Sequence, residues 1–186
     1  VTDLQAFHER AVAACRARVS IVGALDRAQA QALVQQLLER LPAASGADCA
    51  ALPALPDAEP LQKALQEDIP FAAAQAQVLI GQLGIARRDP DFLALLVGNH
   101  ILGGGGFTSR LTQEVREKRG LSYSVYSDFS PGLNRGGFVI GLQTRPDQAA
   151  EAVRVAHDTL ARFVADGPSE AELRAAKDNL IGGFAL

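Results

Sequence analysis

The stretch that decides the fold runs Leu102-Gly-Gly-Gly-Gly-Phe-Thr-Ser-Arg-Leu-Thr-Gln-Glu-Val-Arg-Glu-Lys-Arg-Gly-Leu-Ser-Tyr-Ser-Val-Tyr-Ser127. Four glycines break an apolar helix, and helical spacing resumes behind them. Phe107, Leu111 and Val115 recur every four residues, which predicts a helix over about Thr108 to Arg119 with those side chains on its buried stripe. Glu114 and Lys118 stand at i and i+4, a favourable pair on such a helix. Gly120 falls where a C-cap glycine belongs. From Leu121 onward apolar and polar residues alternate, so the chain turns straight from helix into strand.

Outward from this stretch the elements alternate. Gln75 to Ile85 is apolar on both faces and reads as a central strand. Asp91 to Leu102 reads as an apolar helix. Leu121 to Phe129 and Gly137 to Thr144 read as strands joined by the hairpin-like connection Ser130–Gly136. Pro146 opens a long helix with Ala149, Val153, Ala156, Leu160 and Phe163 on one stripe. Gly167-Pro168-Ser169 then caps a last helix. The fold class this predicts is α+β: a mainly antiparallel sheet with helices packed on one face.

Upstream, Asp3 to Cys15 has helical spacing with Thr2 or Asp3 available as a cap, Val19–Gly23 is a short β-rich run, and Asp26 to Leu41 fits an amphipathic helix capped by Asp26. The order is helix, strand, helix. A run of small residues and prolines follows, which neither donates to a ladder nor continues a helix. The expected division is a helix–strand–helix piece over 1–42, a Pro/Ala-rich linker over 43–58, and a larger domain over 59–186.

Composition narrows the function. The 186 residues hold 18 basic and 21 acidic side chains, a formal net charge of −3, which speaks against nucleic acid as a partner. At 48% hydrophobic and 21% charged, the chain has the make-up of a folded domain and not of a disordered tail. No apolar run approaches the ~18 residues of a membrane span. Cys15 and Cys49 are too few to staple a domain and are expected to be ordinary thiols. The chain begins at Val1 and contains no Met, so a processed chain or a fragment is expected. No segment addresses a compartment, and the choice lies between bacterial periplasm and cytoplasm, leaning to the periplasm.

Three constellations bear on chemistry. His8, His100 and His157 are far apart, and none forms the i, i+4 pair that a zinc site on one helix needs, so no metal site is expected in this chain. Gly103–Gly106 precedes a helix, but the third glycine of a G-x-G-x-x-G loop would fall on Thr108 or Ser109, leaving a weak nucleotide signal and a tight corner as the alternative. Arg116 lies near the helix end and Tyr123 three residues past the turn, so both side chains can reach one small space. A guanidinium beside a phenol supplies donors for a peptide carbonyl or an oxyanion. Equally, Arg116 reads as a solvated charge and Tyr123 as a half-buried strand aromatic.

The stretch Leu102–Ser127 closely resembles the pitrilysin/insulinase-type zinc metallopeptidases, which include mitochondrial processing peptidase. Flanks agree at Asp3-Leu-Gln-Ala-Phe-His8, Val19–Gly23, Gly137–Thr144 and Pro168–Leu173. The resemblance implies half of that family's α/β roll and a metal-assisted peptide hydrolysis. In that family an H-x-x-E-H motif in a first domain binds zinc, and a second, similarly folded domain supplies an Arg and a Tyr seven residues apart for substrate. Arg116 and Tyr123 match that pair, with Gly105 and Phe107 shaping the same cleft. H-x-x-E-H is absent here.

The expectation is therefore the substrate-binding portion of a zinc endopeptidase, inactive in isolation, with no catalytic or metal residue of its own. Zinc is expected in a missing N-terminal domain or a partner subunit, and peptide or unfolded protein as substrate. The alternative is a non-catalytic structural or peptide-binding homologue of the same fold, like the core proteins of respiratory complexes. The larger domain should stop short of its family plan at the carboxyl end. Val19–Ala24 is then expected to pair in the same sheet as the later strands, within one chain or by exchange between two copies in a homodimer.

Overall fold

Alternation and caps locate most elements. The computed structural model describes residues 1–41 and 53–184, and the chain forms two compact units, Val1–Leu55 and Pro56–Leu186. In the first, α1 (Thr2–Ala11) starts without the expected side-chain cap. Helix α2 (Arg27–Glu39) carries a full capping box: Gln29 N–H donates to Asp26 Oδ1 at 2.8 Å, and Asp26 N–H to Gln29 Oε1 at 3.1 Å. Between them Val19–Ala24 forms no strand. A strand exists through its ladder, and with Val22 98% exposed this run has none. The expected pairing of Val19–Ala24 with the later strands is thus not made within one chain. Cys15 is disulfide-bonded, not the ordinary thiol expected; Cys49 and the linker's residues 43–52 lie outside the described residues.

The second unit is built on three antiparallel strands in the order β1 (Ala76–Leu83), β3 (Gly137–Thr144), β2 (Ser124–Phe129). Register aligns Leu79 with Gly141, and Gly141 with Tyr126. β3, not β1, is central. On β1 Ala76, Val78 and Ile80 are half-buried while Gln77 and Leu79 face solvent, so its second apolar face is not covered as a central strand's would be.

Helices cover the other face. Leu111, Val115, Leu121, Val125, Phe138, Ile140, Leu142, Ala152, Val155 and Ala156 form one buried core, the α+β layering the alternation predicts. On α4 (Ala149–Asp166) the buried stripe is Ala152, Val155, Ala156 and Thr159, rotated from the one expected. Thr159 enters it by donating its hydroxyl to the Val155 carbonyl at 2.7 Å, which removes the cost of burying an unpaired polar group. Helix α5 (Glu170–Gly183) begins at a capping box of Ser169 and Glu172.

The segment that carries the candidate site departs most from the expected helix. Helix α3 (Phe92–Asn99) runs on as a π-helical turn, His100–Gly104, followed by a short 3-10 turn, Gly106–Thr108, and a second π-helical segment, Thr112–Glu117. Such widened i→i+5 turns are uncommon and concentrate at functional sites. Contact with β2 is close: a Cβ on Gly103 would lie 2.4 Å from the Ser127 backbone nitrogen and 2.8 Å from Leu111 Cδ1. Asn99 fixes the same approach, donating to the Ser127 carbonyl at 3.1 Å and accepting from its hydroxyl at 2.7 Å. Gly120, at φ +63°, then lets the Gly120 and Leu121 amides turn back onto the carbonyls of Arg116 and Val115, which aims the chain into β2.

Candidate functional site

Arg110, Arg116, Lys118 and Arg119 all project from this short segment, and their partners separate them. Arg110 is committed to the corner between α4 and α5. Its Nε and Nη2 donate to the two Glu172 carboxylate oxygens at 2.7 and 2.8 Å, Nη2 also donates to the Gly167 carbonyl at 2.9 Å, and the guanidinium lies over the Phe163 ring. This fork-on-fork geometry holds the Glu172 carboxyl down to about 2, chiefly through the Arg110 hydrogen bonds.

Lys118 and Arg119 are committed to Glu114. Lys118 Nζ lies 2.5 Å from Oε1, Arg119 Nη1 lies 2.7 Å from Oε2, and Arg162 approaches the same carboxylate at 3.7 Å. Lys118 first and Arg119 second hold the Glu114 carboxyl at about 2.

Arg116 is left over. Its Nε is ion-paired with Glu117 Oε1 at 3.2 Å, and its guanidinium carbon sits over two ring faces, 4.8 Å from the Phe107 centroid and 5.0 Å from that of Tyr123. Among the described residues neither this guanidinium nor the Tyr123 hydroxyl makes a hydrogen bond. The two rings are 70% and 80% exposed. Cation–π contact steadies the arginine while its terminal nitrogens and the phenol stay free to donate. Such an arrangement can hold a carbonyl oxygen, or one that gains negative charge, from two donors at once.

Arg116, Tyr123 and Phe107 are thus brought together. Phe107 is not on the buried stripe as expected. It lies in the 3-10 turn after Gly106 at φ +60°, so the helical phase of Leu111 and Val115 does not extend back to it. Gly105 ends the first π-helical turn, its amide donating to the His100 carbonyl at 2.7 Å and its carbonyl accepting from Thr108 Oγ1 at 3.1 Å. Sequence reasoning missed Glu117, because adjacent residues on an α-helix point apart and nothing in the composition announces the widened turn.

Among the described residues no three of His, Cys, Asp and Glu are grouped closely enough to hold a metal ion. No helix among them is long and apolar enough to cross a membrane.

Fold and site together define a helix-backed α+β domain that presents an arginine–aromatic cluster. Residues 1–180 match the family described as Peptidase M16 inactive domain, and the chain belongs to that family. It is similar over its whole length to the crystal structure of a peptidase M16 inactive domain from Pseudomonas fluorescens, with TM-score 0.83 and 40% identity, covering 44% of that chain. An uncharacterized zinc protease of Streptomyces coelicolor is 41% identical over 60% of this chain and 24% of its own. A protein of Helicobacter pylori named as a non-peptidase homolog is 38% identical over 45% of this chain and 19% of its own. The pitrilysin/insulinase-type resemblance is thereby borne out. The chain spans about a quarter of the length of the first curated relatives it matches.

Proposed function

We propose that this chain is the peptide-binding portion of a zinc-dependent endopeptidase, in which Arg116 and Tyr123 hold a substrate carbonyl oxygen. One observation carries the reading: of the basic side chains on this segment, Arg116 alone has its hydrogen-bonding edge free, and it stands beside the free Tyr123 phenol. Both donors suit an oxygen that gains negative charge as a tetrahedral intermediate forms. The zinc of such an enzyme we assign to another domain or to a partner subunit of the same family. Peptide or unfolded protein is the substrate class. The disulfide at Cys15 supports an oxidising compartment such as a bacterial periplasm.

The test is turnover by the full-length protein. Arg116→Ala and Tyr123→Phe are each expected to lower kcat/KM about a hundredfold, the usual effect of losing one donor to a transition-state oxygen, with melting temperature unchanged. Wild-type rates in both variants would return the pair to surface chemistry. A second reading is favoured by the relative named as a non-peptidase homolog: the same cluster binds peptide in an assembly that never cleaves it. Peptide bound by the intact assembly without turnover, and lost in Arg116→Ala, distinguishes it.

A further inference from the structure

We propose that Glu117 is a specificity-determining positioning residue: it keeps the Arg116 site near electrical neutrality, so that the site accepts the uncharged carbonyl of an internal peptide bond and turns away a carboxylate. The proposal rests on the reading of Arg116 and Tyr123 as carbonyl donors. Glu117 Oε1 lies 3.2 Å from Arg116 Nε, and no other carboxylate pairs with this guanidinium among the described residues. Glu114 is occupied by Lys118, Arg119 and Arg162, so Glu117 alone cancels the charge of Arg116.

An anion docking on the free nitrogens would meet that cancelled charge, and it would also approach the electron-rich faces of Phe107 and Tyr123 that already surround the cation. A carboxylate is therefore penalised by like-charge repulsion, whereas a carbonyl carries no net charge and is not. Tyr123 is a neutral donor that serves either oxygen. Discrimination consequently falls to Glu117, a repulsive element set beside an attractive one. With 29% of the Arg116 side chain and 53% of the Glu117 side chain exposed, solvent screens the effect and bounds it to a modest factor.

The experiment measures affinities of the full-length protein at low salt for a short non-hydrolysable peptide, prepared once with a free C-terminal carboxylate and once as the C-terminal amide. Wild type is expected to bind the amide at least as tightly as the acid. Glu117→Gln should move the acid-to-amide affinity ratio toward the acid by about threefold to fivefold, the range of an exposed charge pair, with the shift shrinking at high salt. Glu117→Asp should retain the wild-type ratio, and Arg116→Ala should weaken both peptides. A ratio that stays at the wild-type value in a folded Glu117→Gln protein, or a wild type that prefers the acid, overturns the role of Glu117. If Glu117→Gln does not fold, the wild-type and Glu117→Asp ratios decide by the same criteria. If neither peptide binds wild type, the carbonyl-donor reading itself falls, and this proposal with it.

Discussion

Among the basic residues between Arg110 and Arg119, function is assigned by what each side chain already holds. Arg110 spends its fork on Glu172, while Lys118 and Arg119 share Glu114, and so Arg116 is the guanidinium left without a hydrogen bond among the described residues. Sequence shows the charges but not this partition, since Glu172 lies 62 residues from Arg110. Upstream, at Gly103, the first π-helical turn meets the backbone of β2. A methyl group at that position would lie 2.5 Å from Ser127 Oγ as well as 2.4 Å from its amide nitrogen, and the amide cannot rotate away. Gly103→Ala is expected to cost about 2 kcal/mol through overpacking, a fall in Tm of roughly 4–8 °C at this chain size. A melting curve superimposable on that of wild type would mean the segment packs less tightly than described.

Elements were legible in proportion to how much their own residues settle. Strand β2 alternates exposed and buried residues over 124–128, and the boxes at Asp26 and Ser169 are closed by residues three apart, so local sequence suffices there. The edge position of β1, the missing strand at Val19–Ala24 and the π-helical winding at Thr112–Glu117 depend on neighbours or on hydrogen-bond register, which composition does not display. Phe107 is expected on the buried stripe but is exposed, because a 3-10 turn shifts the phase that spacing alone extrapolates. The junction of α4 and α5 yields a pH prediction. Glu172 titrates near 2 in the fold against an ordinary value near 4.5. Its contribution is therefore present above pH ~4.5 and is lost as pH falls toward ~2. Glu172→Gln should lower stability at pH 7 by about 1 kcal/mol, a partly solvated pair being modest. The gap between the two proteins should close as pH falls to ~2. Parallel Tm profiles across pH 2–7 would show that Arg110 does not hold Glu172 ionised below the ordinary carboxylate range.

At the scale of the whole molecule, the three-stranded sheet and its helices carry the Arg116 cluster in the Pro56–Leu186 unit. The proposed function places zinc in another domain or a partner subunit, and the chain spans about a quarter of the length of the first curated relatives it matches. The most direct measurement is an experimental structure of the full-length protein with a non-cleavable peptide bound. A backbone carbonyl oxygen of that peptide is expected within ~3 Å, hydrogen-bond distance, of both an Arg116 terminal nitrogen and the Tyr123 hydroxyl. Peptide seated away from this cluster, with Arg116 still held only by Glu117 and the two rings, would contradict the assignment of peptide binding to this site.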